Sequence, residues 1–167
     1  LGKPDEARAA SERALGGEME ARAEALNTLG HLASSEGDHK NAVSFARRSA
    51  SLWRSLGYQT RLADALNSLA ISQAFLGEDS VVTFREALEV AGTNSLLRAR
   101  VLLNLGNLED KNNNFEAAKA SYSESAKLAE EAGVVEIAAW SWNNLGVMNH
   151  KQAKRNDAIL AYQKALK

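Results

Sequence analysis

Residues 25–30 read ALNTLG, and residues 65–70 read ALNSLA. Two looser copies follow, LLNLG at 102–106 and WNNLG at 142–146. Aligned on Leu29, Leu69, Leu105 and Leu145, the copies lie 40, 36 and 40 residues apart. The residue after each Leu is small (Gly30, Ala70, Gly106, Gly146), and the residue six before it is Ala (Ala23, Ala63, Ala99, Ala139). Three before it stands a large apolar residue: Leu26, Leu66, Leu102, Trp142. A chain that repeats one pattern at this interval builds one supersecondary unit several times over, each unit burying its apolar face against the next.

The unit is helical. Apolar residues recur every three to four positions, as in Leu62, Leu66 and Leu69, and no stretch sustains a period of two. The one proline is Pro4, in the first turn of an expected helix. Gly37, Gly57, Gly77, Gly92 and Gly133 fall where helices need a left-handed terminal residue. A mid-helix Gly costs up to ~1 kcal/mol of propensity, so its return after three of the four Leu implies close helix–helix approach. A second helix follows in each unit, marked by Ala42, Ala118 and Ala158, then by Ala46, Tyr122 and Tyr162 four residues on. In the second copy Ser80, Phe84 and Ala87 fall into register after a two-residue deletion.

This pattern resembles the tetratricopeptide repeat: aromatic, two residues, Leu-Gly, then Ala, three residues, aromatic. Trp142, Leu145, Gly146, Ala158, Tyr162 and Ala165 match it best. The period of about 40 exceeds the usual 34, as in long-helix variants from bacterial regulatory proteins. The resemblance implies an all-α, right-handed α-solenoid of stacked antiparallel helix pairs. The expected organisation is a single domain over 1–167, with a half-repeat at 2–15 and repeats at about 20–57, 60–92, 95–133 and 135–167. The chain opens in mid-motif at Leu1, which reads as a fragment of a longer protein.

Packing accounts for the Leu and small positions but not for Asn27, Asn67 and Asn143. At 100° per residue they point away from the direction set by Leu26 and Leu29 and their equivalents. In the family that face lines the concave groove. The resemblance therefore implies ligand contact by Asn27, Asn67 and Asn143, and His31, Arg100, Asn107 and Trp140 on the same face are further candidates. A carboxamide offers one donor and one acceptor, which suits an extended peptide backbone; the same residues could equally fix repeat stacking. Trp140 is expected on the groove side and Trp142 on the packing side. The carboxylate clamp of chaperone co-factors is not matched, because Asn104, Trp140 and Asn144 stand where its cations belong.

Other function classes find little support. Net charge is −1, with no basic stripe to attract a nucleic-acid backbone. Without cysteine there is no thiol nucleophile, zinc finger or disulfide framework, a composition that suits the cytoplasm. His31, His39 and His150 form no i, i+4 pair for a metal, and no phosphate loop or dinucleotide fingerprint occurs. No apolar run is long enough to span a bilayer. The reading is a non-catalytic scaffold without cofactor, whose groove binds a protein or extended peptide segment within a larger regulatory protein. The alternatives are an effector-sensing arm of a transcription regulator or signalling ATPase, and a homo-oligomer formed through exposed repeat ends.

Overall fold

The computed structural model describes residues 3–166. Leu1, Gly2 and Lys167 lie outside them, and with them the expected first residue of the half-repeat and the final residue of the last repeat. Among the described residues there are nine helices and no strand: α1 (Lys3–Ala14), α2 (Met19–Ser35), α3 (His39–Leu56), α4 (Gln59–Leu76), α5 (Val81–Ala91), α6 (Ser95–Lys111), α7 (Phe115–Glu131), α8 (Val135–Lys151) and α9 (Arg155–Ala165). The chain divides into two compact units, Leu1–Ala91 and Gly92–Lys167. In the first, α1 packs on α2, α2 on α3, α3 on α4 and α4 on α5, and α2 also touches α4. In the second, α6 packs on α7, α7 on α8 and α8 on α9, and α6 also touches α8. Each unit is thus a stack of helix pairs in which one first helix meets the next, the packing of an α-solenoid.

A longer period underlies the spacing of 40, 36 and 40. Helices α6, α7 and α8 begin 76 residues after α2, α3 and α4 (Met19 and Ser95, His39 and Phe115, Gln59 and Val135). One buried hydrogen bond recurs at the same interval. Ser49 Oγ donates to the Ala23 carbonyl at 2.9 Å, and Ser125 Oγ donates to the Ala99 carbonyl at 2.7 Å, both fully buried. In these two copies the Ala six before the motif Leu has a use beyond packing: its methyl is small enough for the second helix to come close, so a serine hydroxyl there reaches the backbone of the first.

Helix ends recur as well. Gly57 caps α3 with φ 76°, and Gly133 takes φ 71° after α7. The left-handed position after α2 and α4, filled by Gly37 and Gly77, is filled after α6 and α8 by Asn113 (φ 61°) and Ala153 (φ 59°). After α8 the chain closes with Ala153 N–H donating to the His150 carbonyl and Lys154 N–H to that of Asn149. An L-residue with a Cβ costs about 1–2 kcal/mol in this conformation. Ala153→Gly is therefore expected to stabilise the second unit by about 1 kcal/mol, read as a higher urea midpoint. A lower midpoint would contradict the strain.

The core of the second unit gathers Leu103, Tyr122, Ile137, Leu145 and Met148 around the small residues Ala99, Ala118 and Ala129. Small against large is what lets helices approach closely. Gly30, Gly106 and Gly146 each face the second helix of their own pair, meeting Phe45 and Ala46, Tyr122 and Tyr162 respectively.

Candidate functional site

The polar face of the first helices is built by a contact that repeats across pairs. In the first unit His31 Nε2 on α2 lies 3.5 Å from Ser68 Oγ on α4. In the second, Asn107 Oδ1 on α6 accepts from Asn144 Nδ2 on α8 at 2.8 Å. His31 and Asn107 both stand two residues after the motif Leu, and Ser68 and Asn144 both stand one before it. Adjacent first helices are thus joined at equivalent places. Around the first junction Arg61 pairs with Glu24 at 3.5 Å and Tyr58 Oη donates to Glu20 at 2.6 Å. Beside the second, Lys151 pairs with Asp110 at 2.7 Å. The Arg61–Glu24 pair is exposed on both sides and contributes little energy, whereas Asp110 is largely covered.

The second junction forms a pocket lined by Asn107, Asp110, Tyr122, Asn144 and Val147. Tyr122 Oη reaches it from α7 and donates to Asn107 Oδ1 at 2.9 Å. Burial, with smaller contributions from Asp110 and Glu109, pushes the Tyr122 phenol well above the usual tyrosine range, so it holds its proton and serves as a donor. With two donors on its oxygen, the Asn107 carboxamide is fixed in one orientation. Its NH₂ and the Asn144 carbonyl oxygen are used by no other group among the described residues. Next to them on α8, at helical spacing, stand Trp140 (59 % exposed) and Val147 (38 % exposed).

The expected site residues are placed unequally. Trp140, Asn143, His31 and Asn107 are exposed; Asn27 and Arg100 are half-buried. Asn67 is buried, at 4 % exposure, and does not present its side chain to solvent. The reason lies in the width of the buried arc on α4. It spans Leu62, Ala63, Ala65, Leu66, Asn67, Leu69 and Ala70, far more than the stripe that Leu66 and Leu69 define. Asn67 sits at the rim of that arc; Asn143, its counterpart on α8, falls outside the narrower arc there. The Asn27 side-chain oxygen is enclosed without a partner. The three asparagines therefore occupy three different environments. The pairing of Asn144 with Asn107 was not visible in the sequence, because it joins residues 37 apart on different helices.

Among the described residues no three His, Asp or Glu side chains converge on a point where a metal could sit. No helix of the described residues is long and apolar enough to cross a membrane.

Comparison with known proteins agrees with the geometry. Two segments, residues 23–52 and 99–131, match the tetratricopeptide-repeat family model. They begin 76 residues apart, on the first and third copies. The fold is similar to that in the crystal structure of BtubC (BKLC) from P. vanneervenii, with a TM-score of 0.80 and 21 % identity, over 99 % of this chain and 73 % of that one. No curated protein matches the sequence.

Proposed function

We propose that this chain, two segments of which match the tetratricopeptide-repeat family model, is a non-catalytic module that binds a protein or extended peptide segment along its first helices, as part of a larger regulatory protein. Repeats of this family serve as interaction scaffolds. The observation that carries the reading is the Asn107–Asn144 pair, whose unused NH₂ and carbonyl match the C=O and N–H of a peptide backbone. Trp140 beside it supplies an apolar surface for one ligand side chain, in the manner of an aromatic hot spot. Asn143 and His31 extend the exposed polar face on their own helices, while buried Asn67 is assigned a structural role.

A random-sequence peptide array probed with the wild type, Trp140→Ala and Asn144→Ala tests this. Trp140→Ala is expected to weaken the selected peptides about thirtyfold, the effect of losing ~2 kcal/mol. Asn144→Ala is expected to weaken them about fivefold, the effect of one hydrogen bond. Trp140→Ala should melt near the wild type, since its side chain is exposed, whereas Asn144→Ala takes a donor from Asn107 and should cost about 1 kcal/mol. Undiminished binding by Trp140→Ala would end the reading.

A further inference from the structure

We propose that the groove between α7 and α9, floored by α8, is a second binding site that takes an acidic, apolar peptide segment. It lies apart from the Asn107–Asn144 face. Trp142 stands two residues from Trp140 and so about 200° around α8.

Three observations carry the assignment. The first is that the groove is left open by the chain's own substitutions. At the 76-residue interval, Leu62, buried in the first unit, corresponds to Ala138 in the second, which lines the groove. Trp142 stands where Leu66 does and refills the space only in part. It lines two adjoining pockets, one extending past Val134 and Ala138, the other past Leu145 and Leu160. Leu160 is 58 % exposed.

The second observation is an acceptor that has lost its internal donor. Asn149 lines the groove at 3 % exposure, and its Oδ1 has no partner. At the equivalent place in the two other pairs that carry a polar residue there, the bond is made: Thr83 Oγ1 donates to Gln73 Oε1 at 2.8 Å, and Ser121 Oγ to Glu109 Oε2 at 2.7 Å, while α2–α3 has Ala33 and Phe45 instead. The counterpart of Ser121 is Ala161, which has no hydroxyl to give. A buried acceptor left unmade costs about 1–3 kcal/mol, and a ligand N–H would recover it.

The third is charge. Lys119 and Lys164 line the groove, and neither makes an ion pair among the described residues. Lys164 Nζ instead lies 3.9 Å from the Trp142 ring centroid. Of the two carboxylates nearby, one is hydrogen-bonded within the chain and the other sits at a helix N-terminus. Glu130 accepts the Trp142 indole N–H at 2.7 Å, and Asp157 sits in the first turn of α9, where the helix N-terminus favours a negative charge. What the groove has to offer is one acceptor, an indole face with a leucine beside it, and two cations. A peptide with a backbone N–H for Asn149, an apolar side chain over Trp142 and Leu160, and carboxylates for the lysines uses all of them.

The test is an NMR titration of the ¹⁵N-labelled chain with two blocked tetrapeptides, Leu-Glu-Leu-Glu and Leu-Lys-Leu-Lys, following the Trp142 indole N–H. The acidic peptide is expected to shift that signal saturably and the basic one not. Lys119→Glu with Lys164→Glu should raise Kd about tenfold or more. Ala161→Ser restores the missing hydroxyl, so it should keep the fold and still weaken the peptide about fivefold. Trp140→Ala should leave the titration unchanged, which separates this site from the first. The assignment is overturned if the acidic peptide gives no saturable shift, if the basic peptide shifts the signal equally, or if Ala161→Ser binds as the wild type does. It is also overturned if the signal moves with protein concentration alone, since the groove would then receive a second copy of the chain.

Discussion

Gly106→Ala is expected to destabilise the second unit by about 1–3 kcal/mol, whereas Gly30→Ala, at the same motif position, is expected to stabilise the first by roughly 0.5–1 kcal/mol. Both substitutions gain the same helix propensity, so the difference isolates packing. A Cβ on Gly30 would meet Ala46 N and Phe45 Cβ at 3.6 Å, ordinary van der Waals distance. A Cβ on Gly106 would stand 2.8 Å from Cδ1 and Cε1 of Tyr122. That ring cannot retreat. It is 2 % exposed, and its hydroxyl is tied to Asn107. Gly146 looks worse by distance alone, at 2.6 Å from Tyr162 Cε1. Yet Tyr162 is only half-buried and makes no side-chain hydrogen bond among the described residues, so its ring can swing outward. The expected order of damage is therefore Gly106 before Gly146, with Gly30 of opposite sign. Urea unfolding combined with amide exchange in α2–α3 and α6–α7 reads each unit separately. Destabilisation by Gly30→Ala comparable to that by Gly106→Ala would show that the glycine answers to backbone conformation and not to the aromatic ring.

That pairing of glycine with ring also marks what was legible beforehand. The motif Leu, the small residue after it and the Ala six before it carry packing information at fixed spacing, so the fold class and the helix pairs could be read directly. The turn glycines were legible for the same reason, since φ near +75° selects against a side chain. Asn113 and Ala153 occupy the same conformation without that signature, and only the hydrogen bonds around them disclose it. The face of the first helices was less legible. Helical phase predicts whether Asn67 points away from Leu66, but the width of the buried arc depends on which neighbours cover α4. The Asn107–Asn144–Tyr122 cluster joins three helices, and no local pattern encodes such a meeting. Trp142 was expected on the packing side, where it does lie. That its pocket is only partly filled follows from Ala138, a residue whose smallness matters only once Leu62 is seen in the corresponding place.

Raising the pH above about 10 is expected to remove stability from the second unit at close to 1.4 kcal/mol per pH unit, and Tyr122→Phe is expected to flatten that slope. The sign follows from the direction of the shift. Tyr122 is pushed up by burial, so between the ordinary tyrosine pKa and its own the folded chain keeps a proton that the unfolded chain has released. Stability is then fully present below about pH 10 and declines as pH rises through this window. At neutral pH the order reverses. Tyr122→Phe should cost about 1 kcal/mol there, because Asn107 loses one of its two donors. The stability curves of wild type and variant should therefore cross in the alkaline range, with urea midpoints from pH 8 to 12 as the readout. Lysines titrate alike in both proteins and cancel in the difference. Parallel curves would mean that the phenol reaches solvent, and the Asn107 carboxamide would then lack the fixed orientation on which its grip of a peptide backbone depends. If the curves cross, Tyr122→Phe measured at neutral pH should also loosen peptide binding at Asn107 while leaving the α7–α9 groove unaffected, because its hydroxyl serves the first site alone.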